Sequence, residues 1–328
     1  MENLNVNTTN GFTLSRLGLG CQSAKDAESI ATIRAAIDNG INYLNTADFY
    51  GHGESEMAIR EALKTHKRED VFISVKFGGL VAPDSRFYGI DTRPQSVKNY
   101  LAYSLKRLGT DYIDLYQPAR INPQIPVEDT IGAIADLVTA GYVRNIGISE
   151  VDADTLRKAH ATHPLSLVEV QYSLLNRNIE NSLMPAAREL GIGIAAFGVL
   201  FHGVIGGRNP ADKVVALGNR LSPHALEKLN QAIPRLDILK ELAAEKEITL
   251  SQLAIAWVLA QGDDILTLVG SRTAEQLQST IKTIDINLNA DDLRRIEQIL
   301  PKEYASNSAM LPLELDKNGL FILPEHQA

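Results

Sequence analysis

Residues 27–51, AESIATIRAAIDNGINYLNTADFYG, contain the repeating unit that decides the fold. Their first part places apolar side chains at the spacing of an amphipathic helix, and Gly40 follows where that helix is expected to end. A left-handed helix stop favours a residue without a Cβ, which glycine provides. The next run, NYLNT at 42–46, has the length and apolar content of a short buried strand. This order of helix, glycine and strand predicts an alternating α/β chain.

The same order recurs along the chain of 328 residues. Two further amphipathic segments are PQSVKNYLAYSLKRLG at 94–109 and VEDTIGAIADLVTAG at 127–141. The glycines predicted to stop helices are Gly40, Gly109, Gly141, Gly191 and Gly262. The eight predicted strands are 16–21, 42–46, 71–77, 112–117, 142–149, 165–171, 193–198 and 265–270. Strands that alternate with helices pair in parallel, and eight of them in a chain of this length predict a (β/α)8 TIM barrel.

A doubly wound open sheet is the alternative α/β architecture. It favours the phosphate-binding pattern G-x-G-x-x-G directly after its first strand. The segment GLGCQS at 18–23 contains only the first two of these glycines. The sequence therefore favours the barrel.

Three segments extend the predicted barrel. Residues 3–15 alternate polar and apolar side chains around Asn10–Gly11, which predicts a β-hairpin that covers the bottom of the barrel. Residues 199–224 contain several glycines and are predicted to form a long irregular loop. NADDLRRIEQIL at 289–300 predicts a helix with Asn289 as its N-cap, followed by a loose tail. One domain is predicted over 1–328, with the hairpin at 3–15, the barrel at about 16–285, and the C-terminal helix and tail at 289–328.

The composition bounds the partners and the compartment. Hydrophobic residues make up 45% of the chain and the formal net charge is −8, so neither nucleic acid nor an anionic membrane is an expected partner. Cys21 is the only cysteine, which excludes an intrachain disulfide and suits the reducing cytoplasm. No signal peptide is expected from MENLNVNTTN, and no apolar run reaches the roughly 18 residues of a membrane helix. The histidines show no metal-ligand spacing, so no metal site is expected, and the sequence does not determine the oligomeric state.

Polar side chains at predicted strand ends are candidates for catalysis, because the active site of a barrel lies at the carboxyl ends of its strands. Asn45 ends the second predicted strand and is followed closely by Tyr50, while Lys76 ends the third. An ammonium group beside a phenol favours the phenolate, which makes the phenol a usable general acid or base for a carbonyl and alcohol pair. Two alternatives stay open for Lys76: an ordinary lysine paired with a carboxylate, or the Schiff-base lysine of an aldolase.

Three aromatic residues, Phe49, Phe87 and Tyr88, are candidates for a substrate pocket that takes a small aldehyde or ketone. The alternative, that these aromatic side chains only pack within loops and do not contact substrate, is equally consistent with the sequence. The substrate is therefore predicted only as a class, a small-molecule carbonyl compound.

Six segments, in their order along the chain, resemble the motifs of the aldo-keto reductases. They are LNTADFYG (44–51), VFISVKFG (71–78), RLGTDYIDLYQ (107–117), AGYVRNIGISE (140–150), VQYSLLNR (170–177) and GIGIAAFGVL (191–200). The resemblance covers roughly residues 11–300, and YQPAR at 116–120 resembles a bacterial branch of the family that lacks its histidine. It implies a (β/α)8 barrel that binds NADP(H) in an extended form. It also implies hydride transfer between the nicotinamide and a carbonyl carbon, with a tyrosine as general acid.

The resemblance also implies which residues hold NADP(H). Ser149 and Gln171 take the positions that hydrogen-bond the nicotinamide carboxamide, and Phe197 takes that of an aromatic ring stacked on the nicotinamide. Gly198 and Leu200 lie where backbone groups meet the pyrophosphate. The segment that holds the 2′-phosphate and adenine corresponds to 270–280, with Gly270, Ser271, Arg272, Gln276 and Thr280. The hydroxyl and guanidinium groups of this segment are donors that pair strongly with phosphate.

The resemblance places Tyr50 and Lys76 at the catalytic tyrosine and lysine, but two other positions depart from the family pattern. Asn45 stands where the family has an aspartate that pairs with the lysine, and Ala119 stands where it has a histidine. Without a counter-ion, burial is expected to lower the pKa of Lys76 and to weaken proton transfer. The sequence therefore predicts a weakened NADPH-dependent reductase of aldehydes or ketones, and Asn45→Asp is expected to raise its rate.

An NADP(H)-binding sensor or subunit with little catalysis is the alternative that these two departures favour. Tyr50 and Lys76 oppose it, since a protein that only binds the cofactor has no need of both. Asp48 is the nearest carboxylate in sequence and is not expected to reach Lys76. Gln117, or a water in the space left by Ala119, is a candidate to replace the missing histidine as a hydrogen-bond donor.

Overall fold

Eight parallel strands close into a barrel in this computed structural model, which describes residues 3–4, 11, 13–206, 209–217, 221–271, 273–305, 315–316 and 318–321. The strands are β1 (Leu17–Gly20), β2 (Tyr43–Ala47), β3 (Phe72–Phe77), β4 (Ile113–Pro118), β5 (Val143–Ser149), β6 (Leu167–Gln171), β7 (Gly193–Phe197) and β8 (Ile265–Val269). Each strand pairs with its neighbours in chain order, and β8 pairs with β1 to close the barrel. The predicted (β/α)8 barrel and its eight strands are therefore confirmed.

Helices pack around the outside of the barrel. They are α1 (Ala27–Asp38), α2 (Glu54–Ala62), α3 (Pro94–Leu108), α4 (Val127–Thr139), α5 (Ala153–Thr162), α6 (Leu183–Glu189), α7 (Pro210–Leu217), α8 (Pro223–Glu245), α9 (Leu250–Leu259), α10 (Ala274–Ile281) and α11 (Ala290–Ile299). The three segments predicted to be helical contain α1, α3 and α4, which confirms them. Local sequence sets where they begin: the Asp26 carboxylate accepts from Ser29 N at 2.9 Å before α1, and Pro94 opens α3. None of the described helices is long and apolar enough to cross a membrane.

Four of the five predicted helix stops have the left-handed conformation. The angle φ is 85° at Gly40, 68° at Gly109, 83° at Gly141 and 68° at Gly191. The prediction for Gly262 is wrong, because α9 ends at Leu259, its C-cap Ala260 is in the right-handed region, and Gly262 does not have a positive φ. A Cβ at Gly262 would lie 2.2 Å from Asp264 Oδ1 and 2.5 Å from Arg188 Nη2, so this glycine leaves room for an ion pair between those two side chains.

The predicted N-terminal hairpin and C-terminal helix are confirmed. Asn3–Leu4 pairs antiparallel with Leu14–Ser15, whereas Asn10 of the predicted turn lies outside the described residues. The Asn289 side chain accepts from Asp292 N at 2.9 Å, and the Asp292 carboxylate accepts in return from Asn289 N at 2.9 Å. This reciprocal capping box fixes the start of α11.

The segment 199–224, predicted to be a long loop, contains a helix. α7 begins at Pro210, whose fixed φ suits the first helical turn, and a short turn at Phe201–Gly203 precedes it. A helix of only eight residues gives a weak periodic signal beside several glycines, which is why the sequence indicated a loop.

Part of the C-terminal tail is held against a hairpin at the mouth of the barrel. This β3 hairpin consists of the antiparallel strands Gly79–Val81 and Phe87–Ile90, which follow β3. Phe321 N donates to Tyr88 O at 2.9 Å, and Leu320 forms a bridge with Gly89. The prediction of a loose tail is therefore wrong for the described residues around Leu320.

Side chains that point into the barrel form layers. The lowest layer is apolar and includes Tyr43, Phe72, Leu115, Leu167, Ala195 and Leu266. Leu14 packs against this layer, so the N-terminal hairpin covers the bottom of the barrel as expected. Because inward-facing residues on a strand are two apart, the next positions on β2, β3, β4 and β6 are Asn45, Ser74, Gln117 and Glu169, all of them buried. A polar layer thus rests on an apolar floor and faces the carboxyl ends of the strands.

Candidate active site

Four buried polar side chains form one hydrogen-bonded network inside the barrel. Glu169 Oε2 on β6 accepts from Asn45 Nδ2 at 2.7 Å and from Gln117 Nε2 at 2.6 Å. Ser74 Oγ accepts from Gln117 Nε2 at 3.1 Å and lies 3.4 Å from Asn45 Nδ2. The network joins β2, β3, β4 and β6, and only Glu169 carries an ionisable group within it.

Lys76, one layer above Ser74 on β3, is paired with Glu169. Its Nζ lies 3.0 Å from Glu169 Oε1 and also donates to Asn45 Oδ1. Burial acts to lower the pKa of Lys76, but the Glu169 charge and the neighbouring Tyr50 outweigh burial, and the pKa is raised. Lys76 is therefore an ammonium group at neutral pH. The expectation that Lys76 lacks a counter-ion and has a lowered pKa is wrong, because β6 supplies the carboxylate.

Sequence reasoning missed Glu169. One feature of the sequence could have indicated Glu169: it is a charged residue in the otherwise apolar strand LVEVQ. A charge buried in such a strand requires a partner, so Glu169 could have been predicted to pair with a cation. Nothing in the sequence says which of the other strands supplies that partner, because Glu169 and Asn45 are 124 residues apart.

Tyr50 follows β2 and begins a short turn, Tyr50–Gly53, that leads into α2. Within this turn Gly51 and His52 have φ values of 56° and 53°, which reverse the chain beside the mouth of the barrel. Lys76 Nζ lies 5.2 Å from the centre of the Tyr50 ring. The structure thus brings the two predicted catalytic residues together at the carboxyl ends of β2 and β3.

Asp48 belongs to a second buried cluster rather than to Lys76. Its charged neighbours are Glu56 and Arg107, and Arg107 Nε donates to Glu56 Oε2. Burial and the charge of Glu56 raise the pKa of Asp48 to about 8, although Arg107 and nearby backbone N–H groups act in the opposite direction. Asp48 is therefore largely neutral at pH 7 and, as expected, is not the counter-ion of Lys76.

We expect Asp48→Asn to stabilise the fold, by an amount that grows as the pH rises from about 4 to about 8. The carboxyl has a pKa of about 8 in the folded protein and about 4 when unfolded. Between these values only the unfolded chain releases the proton, so the wild type loses stability as the pH rises. An amide of the same shape never ionises, and the expected gain near pH 8 is on the order of 2 kcal/mol.

Urea unfolding at about pH 5 and about pH 8 measures this gain. Asp84→Asn is the control, because Asp84 is exposed and pairs only with Arg86 among the described residues. No gain is expected for the control near pH 8. Equal stability of Asp48→Asn and the wild type near pH 8 would contradict a buried, protonated carboxyl.

Gln117 does not replace the missing histidine, and that prediction is wrong. Its Nε2 donates to Glu169 and to Ser74, and the side chain is fully buried in the layer below Lys76. Ala119 is the next inward position on this side of the barrel and presents only a methyl group.

Three predicted cofactor residues end neighbouring strands. Ser149 ends β5, Gln171 ends β6 and Phe197 ends β7, with Gln171 directly beside Phe197 in the sheet register. Ser149 Oγ is buried and has no hydrogen-bond partner among the described residues, so this hydroxyl is available to a ligand group. Gln171 Oε1 accepts from Asn176 Nδ2 at 3.2 Å, and the half-buried Phe197 packs against the apolar layer. A hydroxyl, an amide and a ring face are thus gathered on one side of the barrel mouth.

A second group of predicted cofactor residues follows β7 and β8. Gly198 has a φ of 65°, and Leu200 lies in the turn that comes after it. Gly270 and Ser271 directly follow β8, and Ser271 Oγ is buried without a hydrogen-bond partner in the described part of the chain. Arg272 lies outside the described residues.

Gln276 and Thr280 lie one turn apart on α10, where Thr280 Oγ1 donates to Gln276 O at 3.0 Å. Thr273 caps this helix by accepting from Gln276 N at 3.2 Å. The first turn of α10 therefore follows Ser271 closely, and helix N-termini favour anions such as phosphate. The cofactor-binding roles of all these residues stay predictions.

A series of aromatic rings extends from Tyr50 to the C-terminal tail. Phe49 meets Tyr50 edge-on at 5.1 Å and Phe87 edge-on at 4.9 Å, and Phe87 stacks on Phe321 at 6.3 Å. Of the three predicted substrate residues, Phe49 thus contacts Tyr50 directly and Phe87 is joined to it through Phe49. Tyr88 follows Phe87 on a strand, so the two rings lie on opposite faces of the β3 hairpin. Phe321 was missed, because no periodic pattern marks the tail.

The chain is similar to known proteins over nearly its whole length. The sequence profile described as the aldo/keto reductase family matches residues 11–301. The chain belongs to this family. Probable aldo-keto reductase 1 of Glycine max is 35% identical over 308 residues, which cover 89% of this chain and 87% of that protein.

Solved structures agree with the family. An aldo-keto reductase from Bacillus halodurans is 25% identical with a TM-score of 0.74, covering 92% of this chain and 96% of that one. A glycerol dehydrogenase from Gluconobacter oxydans has a TM-score of 0.82 over 96% of this chain and 99% of that one; at 23% identity, it shows similarity of fold alone. Aldo/keto reductases are oxidoreductases that act on small carbonyl compounds with a nicotinamide cofactor, so the predicted class of enzyme is confirmed.

Proposed function

We propose that this aldo/keto reductase uses NADPH to reduce an aldehyde or ketone to an alcohol, with Tyr50 as the general acid. The observation that carries the proposal is the ammonium group of Lys76, which is 3.0 Å from Glu169 Oε1 and beside the Tyr50 ring. A positive charge next to a phenol favours its ionised form and so eases release of its proton to a substrate oxygen. A positioned proton donor of this kind contributes roughly 10²- to 10⁴-fold to a rate.

The cofactor, when bound, supplies the hydride to the carbonyl carbon. We assign its carboxamide to Ser149 and Gln171, and the face of its ring to Phe197. The buried, unpartnered hydroxyl of Ser149 supports this assignment, since a carboxamide offers both a donor and an acceptor. We assign the 2′-phosphate to Ser271 and Arg272, supported by the buried hydroxyl of Ser271 and the adjacent N-terminus of α10.

Tyr50 transfers its hydroxyl proton to the substrate oxygen, which becomes the hydroxyl group of the alcohol. The phenolate left behind is stabilised by the Lys76 ammonium and recovers a proton from water before the next cycle. Lys76 stays charged throughout because Glu169 balances it.

The rings of Phe49, Phe87 and Phe321 favour an aromatic or otherwise apolar carbonyl compound. Phe49 lies next to Tyr50, and Phe87 and Phe321 continue the series away from it, so the three rings offer both faces and edges. Tyr88 is 44% exposed on the other face of the β3 hairpin, so we assign it no contact with substrate.

The state of Lys76 argues against both alternative functions. The departures at Asn45 and Ala119 favoured a sensor with little catalysis. Glu169 supplies the counter-ion that Asn45 does not, which removes the first of these two grounds. A Schiff-base enzyme requires a free amine, whereas a lysine with a raised pKa is an ammonium group.

We place the enzyme in the cytoplasm, acting on small molecules rather than on nucleic acid or membrane. The support is that Cys21 is free and buried and that the formal net charge is −8.

The test is NADPH consumption with a panel of aromatic aldehydes, aliphatic aldehydes and ketones. We expect turnover, fastest with aromatic aldehydes, and a kcat/KM at least roughly 10-fold higher with NADPH than with NADH, because charge-assisted hydrogen bonds to a phosphate are strong. NADPH binding without turnover of any compound in the panel would support the sensor and reject the reductase.

The cofactor assignment has its own matched variants. Ser271→Asp puts a negative charge where the 2′-phosphate is assigned and should raise the KM for NADPH roughly 10- to 100-fold, with little effect on NADH. Gln278 is exposed and lies on the side of α10 opposite Gln276 and Thr280, so Gln278→Asp adds the same charge away from the assigned site and should change neither KM. An equal rise in KM for both cofactors with Ser271→Asp would overturn the assignment.

A further inference from the structure

We propose that Glu169 is the positioning residue that supplies the counter-charge of Lys76 and that Asn45 is a neutral link which the carboxylate requires. The proposal rests on the proposed function, because it concerns the lysine that serves Tyr50. Asn45 then does not weaken the site by lacking a charge, because its amide links the Lys76 ammonium to the Glu169 carboxylate, which supplies that charge.

Both oxygens of Glu169 have assigned partners. Oε2 accepts from the Asn45 and Gln117 amides at 2.7 and 2.6 Å, and Oε1 lies 3.0 Å from Lys76 Nζ. Two neutral donors therefore hold one oxygen in place and direct the other toward the ammonium group. Glu169 is 3% exposed, so its charge is screened little by solvent.

The contacts of Asn45 determine which way its amide faces. Its Oδ1 accepts from Lys76, and its Nδ2 donates to Glu169 at 2.7 Å. The opposite orientation would set an NH2 group against an ammonium and a carbonyl against a carboxylate. A carboxylate at position 45 would also face Glu169, and two carboxylates at this distance cannot both stay ionised. The expectation that Asn45→Asp raises the rate is therefore reversed.

The remaining groups near Lys76 do not supply a second charge. Glu169 and Tyr50 are the ionisable groups that act most strongly on Lys76, and Cys21 also lies near it. Burial raises the pKa of Cys21 to about 12, so the thiol is neutral. Loss of the Glu169 charge would leave Lys76 buried without a counter-charge, which favours the uncharged amine.

The first experiment compares three variants with the wild type in the reductase assay and by NADPH binding. Glu169→Gln should lower kcat roughly 100-fold and move the alkaline limb of its pH profile to lower pH, with the NADPH Kd nearly unchanged. Asn45→Asp should lower kcat roughly 10-fold. The double variant, Asn45→Asp with Glu169→Gln, exchanges the carboxylate and the amide between β2 and β6. It should recover kcat to within about 5-fold of the wild type, since one charge and complementary donors are restored.

A control separates this effect from the general loss of a buried carboxylate. Asp114 is 1% exposed on β4 and pairs with Arg68 and Arg144. Asp114→Asn should lower the free energy of unfolding but leave the pH profile of kcat unchanged. A purely structural role for Glu169 predicts that Glu169→Gln behaves in the same way.

A second readout does not depend on catalysis. Cyanate carbamylates only uncharged amines, so the modification of Lys76, followed by mass spectrometry across pH, reports its charge. In Glu169→Gln the pH of half-maximal rate should fall by about one unit or more, and the double variant should restore it. If the wild type reduces no substrate but the carbamylation shift is observed, the reductase fails and the pairing stands. If Asn45→Asp alone raises kcat, or the carbamylation profile of Glu169→Gln matches the wild type, the proposal is overturned.

Discussion

Tyr50→Phe is expected to lower kcat roughly 10²- to 10⁴-fold, the contribution of a positioned general acid. The substitution keeps the ring, its edge-on contact with Phe49 at 5.1 Å, and the position of Lys76 Nζ at 5.2 Å from the ring centre. The substitution removes the hydroxyl group, and with it both the proton that the substrate oxygen receives and the hydrogen bond with Lys76. The NADPH Kd and the unfolding midpoint should therefore stay close to those of the wild type.

The measurement is single-turnover reduction of an aromatic aldehyde with saturating NADPH, which isolates chemistry from product release. Tyr88→Phe is the matched control, because Tyr88 is a nearby tyrosine on the outer face of the β3 hairpin. It should retain kcat within about 2-fold. If Tyr50→Phe keeps more than about a tenth of the wild-type rate, a different group donates the proton and the assignment of Tyr50 is wrong.

The barrel could be predicted because its signals are local. A helix of three turns, a left-handed glycine and an apolar run lie within about 20 residues, and each of these features follows from backbone sterics or amphipathic spacing. Gly40 shows this, since its φ of 85° was predictable from its place after α1. Gly262 shows the limit: its small size serves the ion pair of Arg188 with Asp264, a tertiary contact that no local pattern reports.

The sequence predicted those site residues that lie at the ends of neighbouring strands. It did not predict contacts between side chains of strands that are distant in the barrel. Tyr50 and Lys76 follow neighbouring strands, and closure of the sheet brings them together. Glu169 reaches Lys76 only through the register of eight strands, which is set by the whole sheet. The sequence therefore predicted that Tyr50 and Lys76 lie together, which is confirmed, but the predicted charge state of Lys76 was wrong.

The same reasoning explains the missed aromatic residue. Phe321 reaches Phe87 because the tail pairs with the backbone of the β3 hairpin, and main-chain hydrogen bonds carry little sequence information. Gly89 permits this close approach, since a Cβ there would lie 2.7 Å from Gly319 O. Gly89 is thus consistent with another segment packing closely on the β3 hairpin, but the sequence alone does not identify that segment as the C-terminal tail.

Arg107→Leu is expected to lower the free energy of unfolding by about 3–5 kcal/mol at neutral pH, the cost of leaving a buried charge without its partner. Arg107 on α3 donates to Glu56 Oε2 on α2, and the Glu56 side chain is fully buried. Leucine fills part of the space of the arginine stem but offers no donor. Asp48 cannot replace the positive charge of Arg107, because it is itself a carboxyl group whose pKa burial and Glu56 raise to about 8.

The pH dependence distinguishes an unpaired charge from a packing defect in Arg107→Leu. A buried carboxylate without a counter-ion favours its protonated form, so lowering the pH toward about 5 should reduce the cost, whereas a cavity costs the same at every pH. Urea unfolding at about pH 5 and about pH 7.5 measures the difference. Arg294→Leu removes an exposed pair with Asp291 and should cost less than about 1 kcal/mol at either pH. A cost for Arg107→Leu that does not change with pH would show that its stem packing, and not its charge, stabilises the junction of α2 and α3.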